Sequence, residues 1–131
     1  MSTIMIVGAT RGIGLELTKQ YANEGNQVIA CARDTANASL LNEVASGSEN
    51  IKIEQLDIAD AGSIESASSR IGEEAIDSVI IVAGWVGGMP DNQTIDNIDI
   101  DEWHNTLNIN TIGPLLVAKA FKSNLAASGN G

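Results

Sequence analysis

Residues 8–14 read Gly-Ala-Thr-Arg-Gly-Ile-Gly, and they stand where the apolar run Thr3–Val7 gives way to side chains at helical spacing. Those side chains are Ile13, Leu17, Tyr21 and Ala22, with Gly25 placed as a C-terminal cap. A strand that feeds a helix through glycines sets a helix N-terminus, with unpaired N–H groups and the positive end of its dipole, at the carboxyl end of a strand. Such a turn holds a diphosphate if the backbone lets it come close. Side chains at Gly8 and Gly12 would block that approach, and Gly14 lets the helix pack tightly on the strand. Glycines at this spacing also occur in ordinary turns. The strand before and the helix after favour the phosphate site.

The alternation continues along the chain. Gln27–Ala32 and residues 51–56 read as the second and third strands, and residues 79–82 as a fourth, apolar on both faces like a central parallel strand. Between them, residues 36–45 carry Leu40, Leu41 and Val44 on one helical face, and Asp60 caps a helix with Ile64, Ala67 and Ile71 on its stripe. Residues 84–100 form a long loop with Gly87, Gly88 and Pro90. Asp99 and Glu102 have capping-box spacing ahead of a long helix over 103–125, after which residues 126–131 read as a small, polar tail in the open. Strands alternating with helices imply right-handed crossovers and a parallel sheet covered on both faces, an α/β fold. At 131 residues the chain has room for one domain.

Composition excludes several functions. Asp plus Glu number 17 against 7 Lys plus Arg, a formal charge of −10, so no nucleic acid and no anionic membrane is expected as a partner. No stretch nears the ~18 apolar residues of a membrane span, the N-terminus does not read as a signal peptide, and a cytoplasmic location is expected. The single cysteine, Cys31, fits a reducing compartment and lies in an apolar strand, where it should be inert. His104 reads as a surface or packing residue. The carboxylates Asp91, Asp96, Asp99, Asp101 and Glu102 suit a loop and a first helical turn, and no metal site is expected.

The glycine spacing narrows the reading further. Three residues separate Gly8 from Gly12 and one separates Gly12 from Gly14, wider than the ordinary dinucleotide fingerprint. Leu56-Asp57-Ile58 follows the third strand, Ala83-Gly84 the fourth, and Asn108-Ile109-Asn110-Thr111-Ile112-Gly113 lies in the long helix. In this order and at these intervals the four landmarks resemble the classical short-chain dehydrogenase/reductase family over nearly the whole chain. The wording Ile112-Gly113-Pro114 is similar to its C-factor/sniffer-like branch. The resemblance implies a Rossmann-type doubly wound parallel sheet, here its first four strands with flanking helices. It implies that Gly8, Thr10, Arg11, Gly12, Ile13 and Gly14 hold the diphosphate and ribose of a nicotinamide cofactor. Asp57 would accept from the adenine amine with Ile58 against the ring, Ala83 and Gly84 would line the cofactor, and Asn110 would be the catalytic asparagine. One departure is plain: Ile81 and Val82 stand where the family has two asparagines before Ala-Gly.

The residue ending the second strand selects the ribose substituent, an acidic one favouring NAD. Here the strand ends Cys31-Ala32-Arg33, with Ala32 where NAD-preferring members carry Asp. Arg33 and Arg11 approach from opposite sides, and two guanidinium groups match a dianionic 2′-phosphate. NADP is therefore expected over NAD, with Asp34 as the feature that argues against it.

Pro114 lies four residues after Asn110 and has no N–H for its carbonyl. A helix running through both would kink there and leave that carbonyl free for the water that the family's proton relay places on it. The other possibility is that Pro114 sits in the first turn of a helix starting later. The family's Ser, and its Tyr four residues ahead of a Lys, have no counterpart here: the only tyrosine is Tyr21, and position 25 is Gly. Residues 1–131 are therefore expected to be the N-terminal, cofactor-binding Rossmann part of a longer NADP-dependent reductase of carbonyl or alcohol substrates. Alone it should bind dinucleotide weakly or not at all and catalyse nothing, and the long helix over 103–125 should serve a homo-oligomer. The competing reading is a non-enzymatic module that binds dinucleotide or a partner. A Rossmann-like methyltransferase is disfavoured by the glycine spacing and the two arginines.

Overall fold

In the computed structural model, which describes residues 1–129 apart from the Asn92 side chain, four strands form one parallel sheet. They are β1 (Thr3–Val7), β2 (Gln27–Ala32), β3 (Ile51–Gln55) and β4 (Ser78–Ile81), in the order β3-β2-β1-β4. Met5 pairs with Ile29 on one side and Val79 on the other. The chain thus winds from β1 outward to β3, then returns to add β4 at the opposite side of β1. That reversal opens a crevice at the carboxyl ends of β1 and β4.

The period-two alternation of β1 and β2 divides the core into two layers. Ile4, Ile6, Val28, Ala30 and Ala32 meet Leu15 and Ala22 of α1 (Gly12–Asn23) and Leu41 of α2 (Ser39–Ser46). Met5, Val7, Ile29 and Cys31 face the other way, against Ile64, Ala67 and Ile71 of α3 (Ala61–Ile71) and against Val117 and Phe121. Phe121 is fully buried, and a side chain of that size contributes about 1.5–3 kcal/mol by leaving water.

Among the described residues only β1 pairs with β4, whose Val79, Ile80 and Ile81 are half-buried. Three sequence expectations need correction. The second helix starts at Ser39 rather than residue 36, because the Asp34 carboxylate takes the Asn37 N–H (3.3 Å) and side-chain amide (2.6 Å) and draws residues 34–37 into a turn. The long helix is interrupted. It runs as α4 (Ile100–Leu107), a π-helical segment over Asn108–Ile112, α5 (Gly113–Ala120) and α6 (Lys122–Ser128). The tail is helical through Ser128, anchored by buried Asn124, whose amide donates to the carbonyls of Gly72 (2.9 Å) and Glu74 (2.7 Å). Asn130 and Gly131, the end of the expected open tail, lie outside the described residues.

The capping box is half formed. Asp99 accepts from the N–H groups of Asp101 (3.0 Å) and Glu102 (3.2 Å), whereas the Glu102 side chain turns to another partner described below. No helix among the described residues is long and apolar enough to cross a membrane.

Candidate functional site

The predicted site residues gather at the carboxyl ends of the strands. Gly8 follows β1, Arg33 follows β2, Asp57 and Ile58 follow β3, and Ala83 and Gly84 follow β4. The glycine turn is tied to the end of β2, where the N–H groups of Gly8 (3.3 Å) and Ala9 (3.0 Å) both donate to the Cys31 carbonyl.

The three glycines do different work. Gly8 has φ +97°, and a Cβ there would come within 2.6 Å of the Ala83 nitrogen. Since its N–H is held by Cys31, Gly8 shapes the turn and admits β4 rather than offering a donor. A Cβ on Gly14 would run into the Gly8 carbonyl, so that glycine seats α1 on β1. Gly12, at φ +55°, would meet nothing within 4 Å, and of the three it alone faces open space.

The start of α1 is also open. Its N-cap, Arg11, makes no side-chain cap bond, and no acidic residue occupies the first turn. The first turn closes from the Leu15 N–H to the Arg11 carbonyl at 3.3 Å, so Gly12, Ile13 and Gly14 precede the hydrogen-bond ladder. By contrast, α3 and α4 are capped by Asp60 and Asp99. Arg11 and Arg33 are exposed, Thr10 is half-buried, and Ile13 keeps 71% of its surface at the mouth. Asp34 is directed into its own loop, and the Asn37 hydrogen bonds hold its carboxyl below the usual range, with Arg33 adding to the shift.

On the β3 side, Asp57 Oδ1 accepts from the Ala59 N–H at 2.9 Å, and the Asp57 N–H donates to Ser63 Oγ at 2.8 Å. Ile58 is 7% exposed and packs in the core, where a Cβ on Gly113 would lie 2.6 Å from its Cγ1. Little of the Ile58 side chain is left for a ring, so what this residue presents at the crevice is mainly backbone.

On the β4 side, Asn110 Oδ1 accepts from the Trp85 N–H (2.8 Å) and its Nδ2 donates to the Trp85 carbonyl (2.7 Å). The Trp85 indole N–H donates to Glu102 Oε2 at 2.9 Å, which is where the other half of the capping box went. Asn108 donates to the Ala59 carbonyl at 2.8 Å. The two asparagines of the π-helical segment therefore hold two loops, one after β3 and one after β4. The Gly113 N–H reaches back five residues to the Asn108 carbonyl, and Pro114 lies in the first turn of α5. The backbone nevertheless stays right-handed helical through Gly113 (φ −55°, ψ −51°). Pro114 thus falls in the first turn of a later helix, as the second expectation had it, although that helix continues directly from the π-helical segment. The helix accommodates the missing donor by a π-turn.

Sequence reasoning missed Trp85, Glu102, Asn108, Gln55 and Ser63 as parts of this framework. Asn108 left a signal in its repeat two residues ahead of Asn110, and Glu102 left one in its capping-box spacing. Among the described residues no three His, Cys, Asp or Glu side chains gather as a metal set.

Comparison with known proteins agrees with this fold. The family model described as short chain dehydrogenase matches residues 2–131. An uncharacterized oxidoreductase of Schizosaccharomyces pombe is 34% identical over 88% of the chain, which spans 46% of that protein. A carbonyl reductase from Pseudomonas aeruginosa in complex with NADP superposes with a TM-score of 0.86 at 31% identity, over 95% of this chain and 56% of that one. NADPH-bound carbonyl reductase from chicken fatty liver gives 0.81 at 28% identity, over 100% and 51%. The chain spans about half or less of the length of the curated relatives it matches. From the glycine turn to the asparagine helix, the chain belongs to the short-chain dehydrogenase family.

Proposed function

We propose that residues 1–131 are the dinucleotide-binding domain of an NADP(H)-dependent oxidoreductase that moves a hydride between the cofactor and a carbonyl or alcohol. The observation that carries this reading is the uncapped start of α1, with Gly12 facing open space beside its N-cap, Arg11. A diphosphate fits there because the N–H groups of the first turn are unpaired, the dipole is positive, and no carboxylate competes. The two exposed arginines supply charge for a 2′-phosphate, and the Asp34 carboxylate is engaged by the Asn37 hydrogen bonds. NADP-bound carbonyl reductases among the structural neighbours support the same cofactor.

Each residue then has a role. Gly12 faces the diphosphate and the backbone N–H groups of Ile13 and Gly14 donate to it, Thr10 lines the turn, Arg11 and Arg33 hold the 2′-phosphate, and Asp57 with the Ile58 backbone bounds the adenine. Ala83 and Gly84 form the floor beside Gly8. Asn110 fixes the loop after β4 through its side chain and offers its main-chain carbonyl to the proton relay. Bound in this crevice, the dinucleotide supplies the hydride.

We further propose that the native polypeptide continues past residue 131 and provides the Ser, Tyr and Lys that protonate the substrate. The open edge of β4 and the exposed Trp103, Leu107 and Leu115 support this, since an unpaired apolar edge invites association. The same exposed side chains favour a homo-oligomer through residues 103–125, and the reducing environment suited to Cys31 favours the cytoplasm. The chain alone would bind cofactor weakly and turn nothing over.

The deciding experiment is the intact mass of the natural polypeptide, combined with calorimetric titration of NADP+ and NAD+. A mass well above that of 131 residues, with NADP+ bound more tightly, supports the reading. A mass equal to 131 residues removes catalysis by this route, and equal or absent binding of both dinucleotides removes the cofactor assignment.

A further inference from the structure

Three hydrogen bonds join the loops after β2 and β3 through two half-buried residues, Gln55 and Ser63. Gln55, the last residue of β3, pairs across the sheet with Ala32. Its side-chain Nε2 donates to the Arg33 carbonyl at 3.1 Å. Its Oε1 accepts from Ser63 Oγ at 3.3 Å, and Ser63 Oγ in turn accepts from the Asp57 N–H at 2.8 Å.

The direction of this chain is fixed by chemistry. A carbonyl only accepts and an amide N–H only donates, so the Gln55 amide must turn its nitrogen to Arg33 and its oxygen to Ser63. Ser63 has one proton, which goes to Gln55, leaving a lone pair for Asp57. No other arrangement satisfies all four groups. Carboxylate, aliphatic or reversed-amide side chains at position 55 each break at least one link.

The main chain of Gln55 is held as firmly. Arg70 donates to its carbonyl at 2.7 Å while also pairing with buried Glu54 at 2.6 Å. The Gln55 N–H donates to Glu54 Oε1 at 3.2 Å. Gln55 is therefore a fixed post, and Arg33 is the mobile-length side chain whose backbone it anchors.

We propose that Gln55 is a positioning residue for cofactor selection: it holds the Arg33 backbone so that the guanidinium meets a 2′-phosphate, while Ser63 separately holds the Asp57 backbone for the adenine. This rests on the NADP reading above and assigns it a specific determinant outside the glycine turn. The two halves of the relay have separable consequences. Loss of the Gln55–Arg33 bond affects only the phosphate that distinguishes NADP from NAD. Loss of the Ser63–Asp57 bond affects the adenosine that both share.

The test is titration calorimetry with NADP+ and NAD+ on the full native polypeptide and on Gln55→Leu, Gln55→Glu and Ser63→Ala. Gln55→Leu should lower the NADP+/NAD+ affinity ratio by about three- to tenfold, the range of one hydrogen bond, with NAD+ binding unchanged. Gln55→Glu, which keeps the acceptor for Ser63 but sets a carboxylate against the Arg33 carbonyl, should lower the ratio at least as far. Ser63→Ala should weaken both dinucleotides to a similar extent and leave the ratio alone.

A purely structural role would lower thermal stability and reduce both affinities together in all three variants, and that outcome overturns the proposal. An unchanged ratio in Gln55→Leu overturns it as well, even where wild type prefers NADP+. If wild type itself shows no preference for NADP+, the cofactor reading fails first. Should Gln55→Leu not fold, Gln55→Glu and Ser63→Ala carry the comparison.

Discussion

Asn110 brackets Trp85. Its side-chain oxygen takes the Trp85 N–H at 2.8 Å and its amide returns a bond to the Trp85 carbonyl at 2.7 Å. One side chain thus satisfies both backbone groups of a residue just beyond β4 and pins the loop after Gly84 to the helix. Asn110→Ala should destabilise the protein by about 1–2 kcal/mol, two ordinary hydrogen bonds' worth. Urea unfolding measures the loss. Hydrogen exchange locates it, because the Trp85 amide should lose protection while β1 amides keep theirs. Uniform loss across the sheet would argue against a local bracket.

The glycines should separate folding from binding. Gly14→Ala drives a methyl into the Gly8 carbonyl, backbone against backbone, and should cost about 3 kcal/mol or more or prevent folding. Gly12→Ala meets no atom within 4 Å and bears only the strain of φ +55°, about 1–2 kcal/mol. It should fold, with a near-native circular dichroism spectrum, and yet lose NADP+ affinity, because its methyl projects where the diphosphate approaches. Equal binding by Gly12→Ala and wild type would remove Gly12 from the site.

These contrasts also show what a sequence can and cannot carry. The β-strands were legible to within a residue or so because their signal is local: β-branched runs ending at glycine or a charge. The roles of Gly8 and Gly14 were only partly legible, since the atoms that forbid a Cβ on Gly8 belong to Ala83, far along the chain. The break of the long helix was announced by Pro114, yet its form, a π-turn that hands Asn108 to Ala59 and Asn110 to Trp85, depends on loops that only the fold brings near. The Asp99/Glu102 pair obeyed its local rule for one bond and broke it for the other, because the Trp85 indole offered Glu102 a tertiary partner. Position 55 carried no motif at all. Its meaning lies in the register that sets it opposite Ala32.

Arg33→Ala should reduce NADP+ affinity by about ten- to a hundredfold and leave NAD+ binding unchanged, since charge-assisted bonds to phosphate contribute about 1.5–3 kcal/mol. The wild-type NADP+ affinity should fall with added salt more steeply than that of the variant, both arginines being exposed and screened. Calorimetric titration at two ionic strengths measures both effects. An equal loss for NAD+ would place Arg33 against the shared part of the dinucleotide.

Cys31 should be silent in the native state and audible at high pH. Burial on the sheet face that packs against α3, reinforced by the Glu54 carboxylate and only partly offset by Arg70, pushes its thiol from an ordinary 9.0 up to about 12. The thiolate is the reactive form, so a thiol reagent at pH 8 should label Cys31 only after denaturant is added. The same shift gives stability a definite sign. Below pH 9 both folded and unfolded chains keep the proton and the group contributes fully to stability. As pH rises from 9 toward 12 the unfolded chain ionises first, and that contribution is lost. The comparison is with Cys31→Ala, whose stability should fall less steeply between pH 9 and 12 than that of wild type. Parallel curves, or rapid native labelling, would mean that the thiol is far less buried than the sheet places it.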